Sequence, residues 1–201
     1  MLSMTSALRW VKPYQNVQAV AAAAEGKYWT LEETLVSQQS TSTGADERFR
    51  ALPDEKPPVM QVPAGLSFVN LRRSAGLVWL AGHGPNLAKR PPEFDYVGKV
   101  GRDLTKDEGY AAARLVGLNL LVSLRAALGS LDHVDTVLQV IGAINSAEDF
   151  DQQSFVLNGC TDLMVEIFQD AGRPARMAFG AYVLPFNMAV EASMVVSIRP
   201  E

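Results

Sequence analysis

The sequence predicts an α+β two-layer sandwich, a mixed β-sheet with two helices packed on one face. Three observations predict it. Apolar residues make up 48% of the 201 positions, enough to build a core. Two stretches with helical apolar spacing alternate with short β-branched runs, in the order β-β-α-β-α-β-β. The last run alternates: Val190, Ala192, Met194, Val196 and Ile198 face one way, and Glu191, Ser193, Val195 and Ser197 the other. Helices that return between strands of one sheet cover one of its faces. Val195 would then stand on the uncovered face, a weak sign of association through the sheet.

The elements follow in order. Residues 1–60 read as an N-terminal extension and Pro-rich linker, partly helical or mobile, and residues 61–201 as the folded domain. Within the extension a short helix is expected at 17–24 and a second from Thr30, where Thr30 and Glu33 have capping-box spacing. The polar tract 37–44 has no core-forming residues, and Pro53, Pro57, Pro58 and Pro63 favour extended chain. Residues 67–71 and 77–81 are strand-like, with Ser74-Ala75-Gly76 between them as hairpin turn chemistry. Gly82-His83-Gly84-Pro85 ends the second strand, and 86–103 is a polar loop. Thr105 and Glu108 form a capping box before a helix over 106–128, which Gly129 stops. Residues 134–144 are a buried strand. A second helix spans 151–170, with Phe155, Gly159, Leu163 and Ile167 on one face and Gly172 past its end. Strands over 176–184 and 189–198 flank Pro185.

Composition excludes several functions. The net charge of −4 offers no broad surface to a phosphate backbone, so no nucleic-acid partner is expected. Cys160 is the single cysteine, which excludes an intrachain disulfide and argues against a cysteine metal site. The two histidines, His83 and His133, read as surface or turn residues, and no carboxylate cluster joins them in a metal set. No apolar run of membrane-spanning length is expected, so no membrane partner is either. A cytoplasmic location is expected. Arg9 and Lys12, with no acidic residue in the first 24, leave a mitochondrial presequence open.

Five segments in order resemble one family. They are 80–85 (Leu-Ala-Gly-His-Gly-Pro), Asn145-Ser146, Asn158-Gly159, 173–176 (Arg-Pro-Ala-Arg) and Leu184-Pro185 followed by Val190-Glu191. Over residues 60–199 the chain resembles the Rid family, also called YjgF/RidA or "endoribonuclease L-PSP". It resembles most the subgroup with a Gly-His-Gly-Pro turn. Glu191 follows Arg176 by 15 positions, the family's spacing. The resemblance implies a chorismate-mutase-like fold, a homotrimer with sheets facing inward, and ligand clefts at subunit contacts.

Arg176 and Glu191 are then the expected catalytic pair. A guanidinium holds a carboxylate through two parallel hydrogen bonds at any relevant pH. A carboxylate on the cleft side of a strand orients a water or takes its proton. Without the resemblance Arg176 reads more readily as a structural salt bridge and Glu191 as a solvated strand residue. The expected substrate-binding residues are Arg176, Gly82 through its N–H, Asn158, Phe68 as an apolar wall, Ala178 through its backbone, and His83. Phe68 stands where many relatives have tyrosine, Ala81 for a common serine, Ala178 for a cysteine and His83 for a frequent glutamine. The resemblance implies metal-free, cofactor-free hydrolysis of 2-imino acids or enamines to 2-keto acids and ammonia. A larger imine of a specialised pathway and a non-catalytic ligand-binding trimer stay open.

Overall fold

The computed structural model of the chain describes residues 43–60, 62, 65–85 and 94–200. The helices expected at 17–24 and from Thr30 lie outside them. The elements are α1 (Ala45–Ala51), β1 (Leu71–Ser74), β2 (Leu77–His83), α2 (Lys106–Leu128), β3 (Val134–Asn145), α3 (Gln153–Phe168), β4 (Ala175–Ala181) and β5 (Val190–Ile198). Short 3₁₀ turns at Leu131–His133, Gln169–Gly172 and Pro185–Asn187 connect them. The five strands form one mixed sheet in the order β1-β2-β5-β3-β4. Only β3 and β4, linked through α3, run parallel.

Helix α2 begins as its sequence dictates. Thr105 Oγ1 accepts from the Glu108 N–H at 3.2 Å, and the Glu108 carboxylate accepts from the Thr105 N–H at 2.7 Å. Gly129 stops the helix at φ 80°, a conformation glycine adopts without steric penalty. The α2 segment is long and apolar enough to cross a membrane, with a window of mean hydropathy 1.5. That corrects the expectation that no such run exists. Its apolar side chains lie mostly inside the fold, which accounts for the hydropathy.

Helices α2 and α3 meet at main-chain distance because Gly159 has no side chain. A Cβ there would stand 2.0 Å from the Tyr110 carbonyl oxygen and 3.0 Å from the Arg114 nitrogen. Val78, Leu80, Val137, Val140, Ile144, Ala192, Met194 and Val196 fill the other side of the same core. The opposite face of the sheet is uncovered: Trp79 pairs with Val195, Ile141 with Met177 and Ala143 with Phe179. Trp79, Met177 and Phe179 are all exposed.

Three boundaries differ from expectation. The first strand is Leu71–Ser74, not 67–71, because the two-residue turn Ala75-Gly76 (φ 48° and 75°) pairs Ser74 directly with Leu77. Strand β4 stops at Ala181, and the chain then loops through Leu184-Pro185. The compact unit starts at Thr43 rather than near residue 60. Phe49 and Leu52 join the core. The Asp46 carboxylate accepts from Arg125 Nε at 2.7 Å and the Leu131 N–H at 3.2 Å. Asp54 holds Arg114 by two bonds of 3.1 and 2.9 Å.

Candidate functional site

Glu191 lies on the uncovered face, in one row with Ala143 and Phe179. Its carboxylate sits where a side chain on the exposed Gly82 would stand: a Cβ on that glycine would be 2.1 Å from Glu191 Oε1. Among the described residues no hydrogen bond satisfies its carboxylate. Burial raises its pKa above the ordinary carboxylate value. A β-bulge puts Gly82 beneath it. Three steps of β2, from Leu80 to His83, match two of β5, from Met194 to Ala192, and the extra residue reverses the alternation. The bulge is fixed from the helix side. His83 Nδ1 lies 2.8 Å from the Ala81 carbonyl and so carries the proton; Nε2, 2.8 Å from Ser123 Oγ, accepts from that hydroxyl. One turn earlier on α2, Asn119 Nδ2 donates to the Gly84 carbonyl at 2.8 Å.

Arg176 occupies the other side. On β4, the edge strand, it pairs with Val140 of β3, and that parity turns it toward α3. Its guanidinium donates from Nη1 to Thr161 Oγ1 at 3.0 Å and from Nη2 to the Ser154 carbonyl at 3.3 Å. Both acceptors are neutral, so the positive charge keeps no carboxylate partner among the described residues. Asn158 shares the helix face of Ser154 and Thr161, at i, i+4 and i+7.

The structure thus builds two half-sites and does not join them within one chain. Gly82 and Glu191 form one. Phe68 is exposed just ahead of β1, and the Ala81 N–H donates to the Asn70 carbonyl at 2.8 Å, which extends the hairpin pairing by one residue past Leu71. Arg176, Asn158 and Thr161 form the other. Ala178, on the Arg176 side, packs its methyl against the core and leaves only its backbone for a ligand. The register puts Arg176 and Glu191 two strands and three residues apart, roughly 14 Å between Cα atoms by ordinary sheet spacing, on opposite faces.

His83 requires a correction. It is neither a surface residue nor a ligand contact but fully buried, because the bulge turns it inward. Burial lowers its pKa below the ordinary imidazole value. Two participants were not foreseen. Thr161, which holds the arginine, was signalled by its position on the Asn158 face. Lys99 gave no signal, since a lone lysine in a polar loop reads as solvated. Its ammonium donates to Asn145 Oδ1 and the Ser146 carbonyl, both at 3.1 Å, and to the Tyr182 carbonyl. It thereby ties together the chain just beyond β3 and β4.

Residues 79–196 match the family model described as "YjgF/chorismate_mutase-like, putative endoribonuclease". The chain belongs to the YjgF (Rid) family. This YjgF-family chain is 30% identical to a solved protein from Agrobacterium tumefaciens, Atu1372, whose function is described as unknown. The match covers 77% of this chain and 91% of that one, with a TM-score of 0.66. A structure from Shewanella oneidensis called a "putative endoribonuclease" is 28% identical, with a TM-score of 0.70, over 78% of this chain and all of that one. Among curated proteins, Protein TCP17 of Trypanosoma cruzi is 42% identical over 103 residues, 51% of this chain. That match spans 64% of the relative's own length, just under two thirds. The sheet with its helix layer is the YjgF/chorismate-mutase-like fold.

Proposed function

We propose that the protein is a metal-free deaminase that hydrolyses 2-imino acids and their enamine tautomers to 2-keto acids and ammonia. The observation that carries this reading is the pair of complementary half-sites. An arginine on an edge strand is oriented by neutral acceptors and keeps its charge for a ligand. A half-buried carboxyl with a raised pKa stands over a glycine whose backbone is open to close approach.

The two halves meet when the β4 edge of one copy approaches the uncovered sheet face of another. A homotrimer with its clefts between subunits satisfies that requirement. In the cleft Arg176 holds the substrate carboxylate through its fork. Glu191 takes a proton from water as the oxygen bonds to the C=N carbon and passes it to the nitrogen, giving a carbinolamine. It then takes the new hydroxyl proton and delivers it to the nitrogen as the C–N bond breaks and the C=O bond forms. Water supplies the oxygen of the keto acid, and ammonia leaves. Holding the imine and water together supplies several kcal/mol of barrier lowering.

A second reading concerns substrate size. Glu191 pairs with the apolar Ala143, and exposed Phe179 continues the same row one strand further along the uncovered face. This environment favours an imine with a bulky apolar side chain over the smallest substrates. The endoribonuclease name of the Shewanella relative finds less support here, given the acidic charge balance and a buried His83.

The test is ammonia release from freshly generated imino acids, small and bulky. Wild-type protein is expected to accelerate it. Arg176→Ala should abolish the acceleration, and Arg176→Lys should retain little because a point charge cannot replace a planar fork. Wild-type protein without effect on any imine, yet binding keto acids through Arg176, would identify a ligand-binding trimer instead.

A further inference from the structure

The N-terminal segment that packs over α2 leaves a cavity of ≈ 380 Å³ beneath it. Its volume falls within the range of small-molecule sites, about 300–1,000 Å³. Three cations border it: Arg50 on α1, Lys56 on the segment that follows, and Arg125 on α2. Phe49, Val59, Val122 and Ala126 supply apolar walls, and the lining contains no carboxylate.

Every charged residue of the lining is a cation. Asp46, just behind the lining, accepts from Arg125 Nε at 2.7 Å and Nη2 at 3.2 Å, and lies 3.3 Å from Arg50 Nε. One carboxylate thus faces two guanidinium groups. Lys56 adds a third cation, which donates to the Leu52 carbonyl, stands 5.8 Å from the centre of the Phe49 ring and lies near Asp54, a carboxylate that Arg114 already engages by two bonds. The nitrogens of Arg50 and Arg125 that Asp46 does not engage, and the remaining ammonium protons of Lys56, leave donors for an anion. The apolar walls point to a hydrocarbon body. Inorganic phosphate would satisfy the rim and leave the walls wet, whereas a neutral hydrocarbon would do the reverse.

We propose that this cavity binds a small amphipathic monoanion, of the class of medium-chain or aryl carboxylates. The site is separate from the Arg176 and Glu191 half-sites. It joins α1 and its following segment to α2, the helix whose Asn119 and Ser123 fix the Gly82 bulge. Its occupancy does not depend on the deaminase reading.

The experiment is calorimetric titration of the full chain with octanoate, and in parallel with octanol. One saturable octanoate site per chain is expected, with octanol binding far more weakly. The double variant Arg50→Ala/Lys56→Ala should weaken octanoate roughly tenfold or more, the scale of one or two lost charge-assisted hydrogen bonds. Val122→Trp, which fills the cavity and keeps every charge, should abolish binding, and Arg176→Ala should leave it unchanged. Thermal unfolding of each variant checks that it is folded. Absence of saturable octanoate binding, equal affinity for octanol, or binding lost in Arg176→Ala but kept in both cavity variants would each overturn the proposal.

Discussion

Replacing Gly82 by alanine moves the Glu191 carboxylate without altering its chemistry. The added Cβ would stand 2.1 Å from Oε1, 3.0 Å from Cδ and 3.3 Å from Cγ of Glu191. Oxygen and carbon do not approach below about 3 Å, so the carboxylate must retreat by roughly 1 Å. What yields is the far end of a rotatable side chain on the uncovered face, so the stability cost should stay below about 1 kcal/mol. A displacement of that size costs about 10²-fold in rate when the group serves the chemistry. The assay is kcat/KM for ammonia release from a freshly formed imine, with urea unfolding of the same preparations. Gly82→Ala protein should be stable and about a hundredfold slower. Activity within twofold of wild type would show that the position of Glu191 over Gly82 is irrelevant to the reaction.

Two further predictions concern the framework. Gly159→Ala places a methyl against the Tyr110 carbonyl, and neither backbone can rotate away. Overpacking of about 3 kcal/mol, less about 1 kcal/mol of improved helix propensity, leaves roughly 2 kcal/mol of destabilisation. That lowers Tm by about 4–8 °C, and an unchanged Tm in scanning calorimetry would contradict the close helix contact. His83 predicts an acid-sensitive fold. Its folded pKa lies below the ordinary 6.5, so the unfolded chain binds protons first. The stability it contributes is complete above pH 6.5 and is lost as pH falls toward the folded value. The stability difference between wild type and His83→Gln, measured by urea unfolding, should therefore shift against wild type below pH 6.5. A difference independent of pH would remove histidine from that role. Glu191, with a raised pKa, acts in the opposite sense: its contribution is present at low pH and lost as pH rises through the folded value.

Much of the scaffold was legible because single residues signal it. Thr105 and Glu108 cap α2, Gly129 stops it, and the alternation of β5 separates Glu191 from the core residues on either side. The site was less legible, for physical reasons. Parity predicts side-chain direction only along an unbroken ladder. The bulge at Gly82 resets it, which is why His83 is a core residue. A strand glycine is the trace such a bulge leaves in a sequence. The spacing from Arg176 to Glu191 crosses the loop at Leu184-Pro185, where Phe186 and Asn187 take positive φ, and no periodicity passes through such a turn. Their placement on opposite faces therefore had to come from coordinates. The docking of residues 43–60 escaped notice because its anchors, Asp46, Phe49 and Asp54, are scattered through proline-rich polar chain.

The central claim is that a ligand carboxylate joins the arginine half-site of one copy to the glutamate half-site of another. A crystal structure of the full chain with a bound 2-keto acid tests it most directly. The claim predicts the keto acid carboxylate forked on Arg176, with Glu191 and Gly82 of an adjacent copy within hydrogen-bonding reach of its C2 carbonyl. A keto acid bound away from Arg176, or held by Arg176 with no second copy within reach, would contradict it.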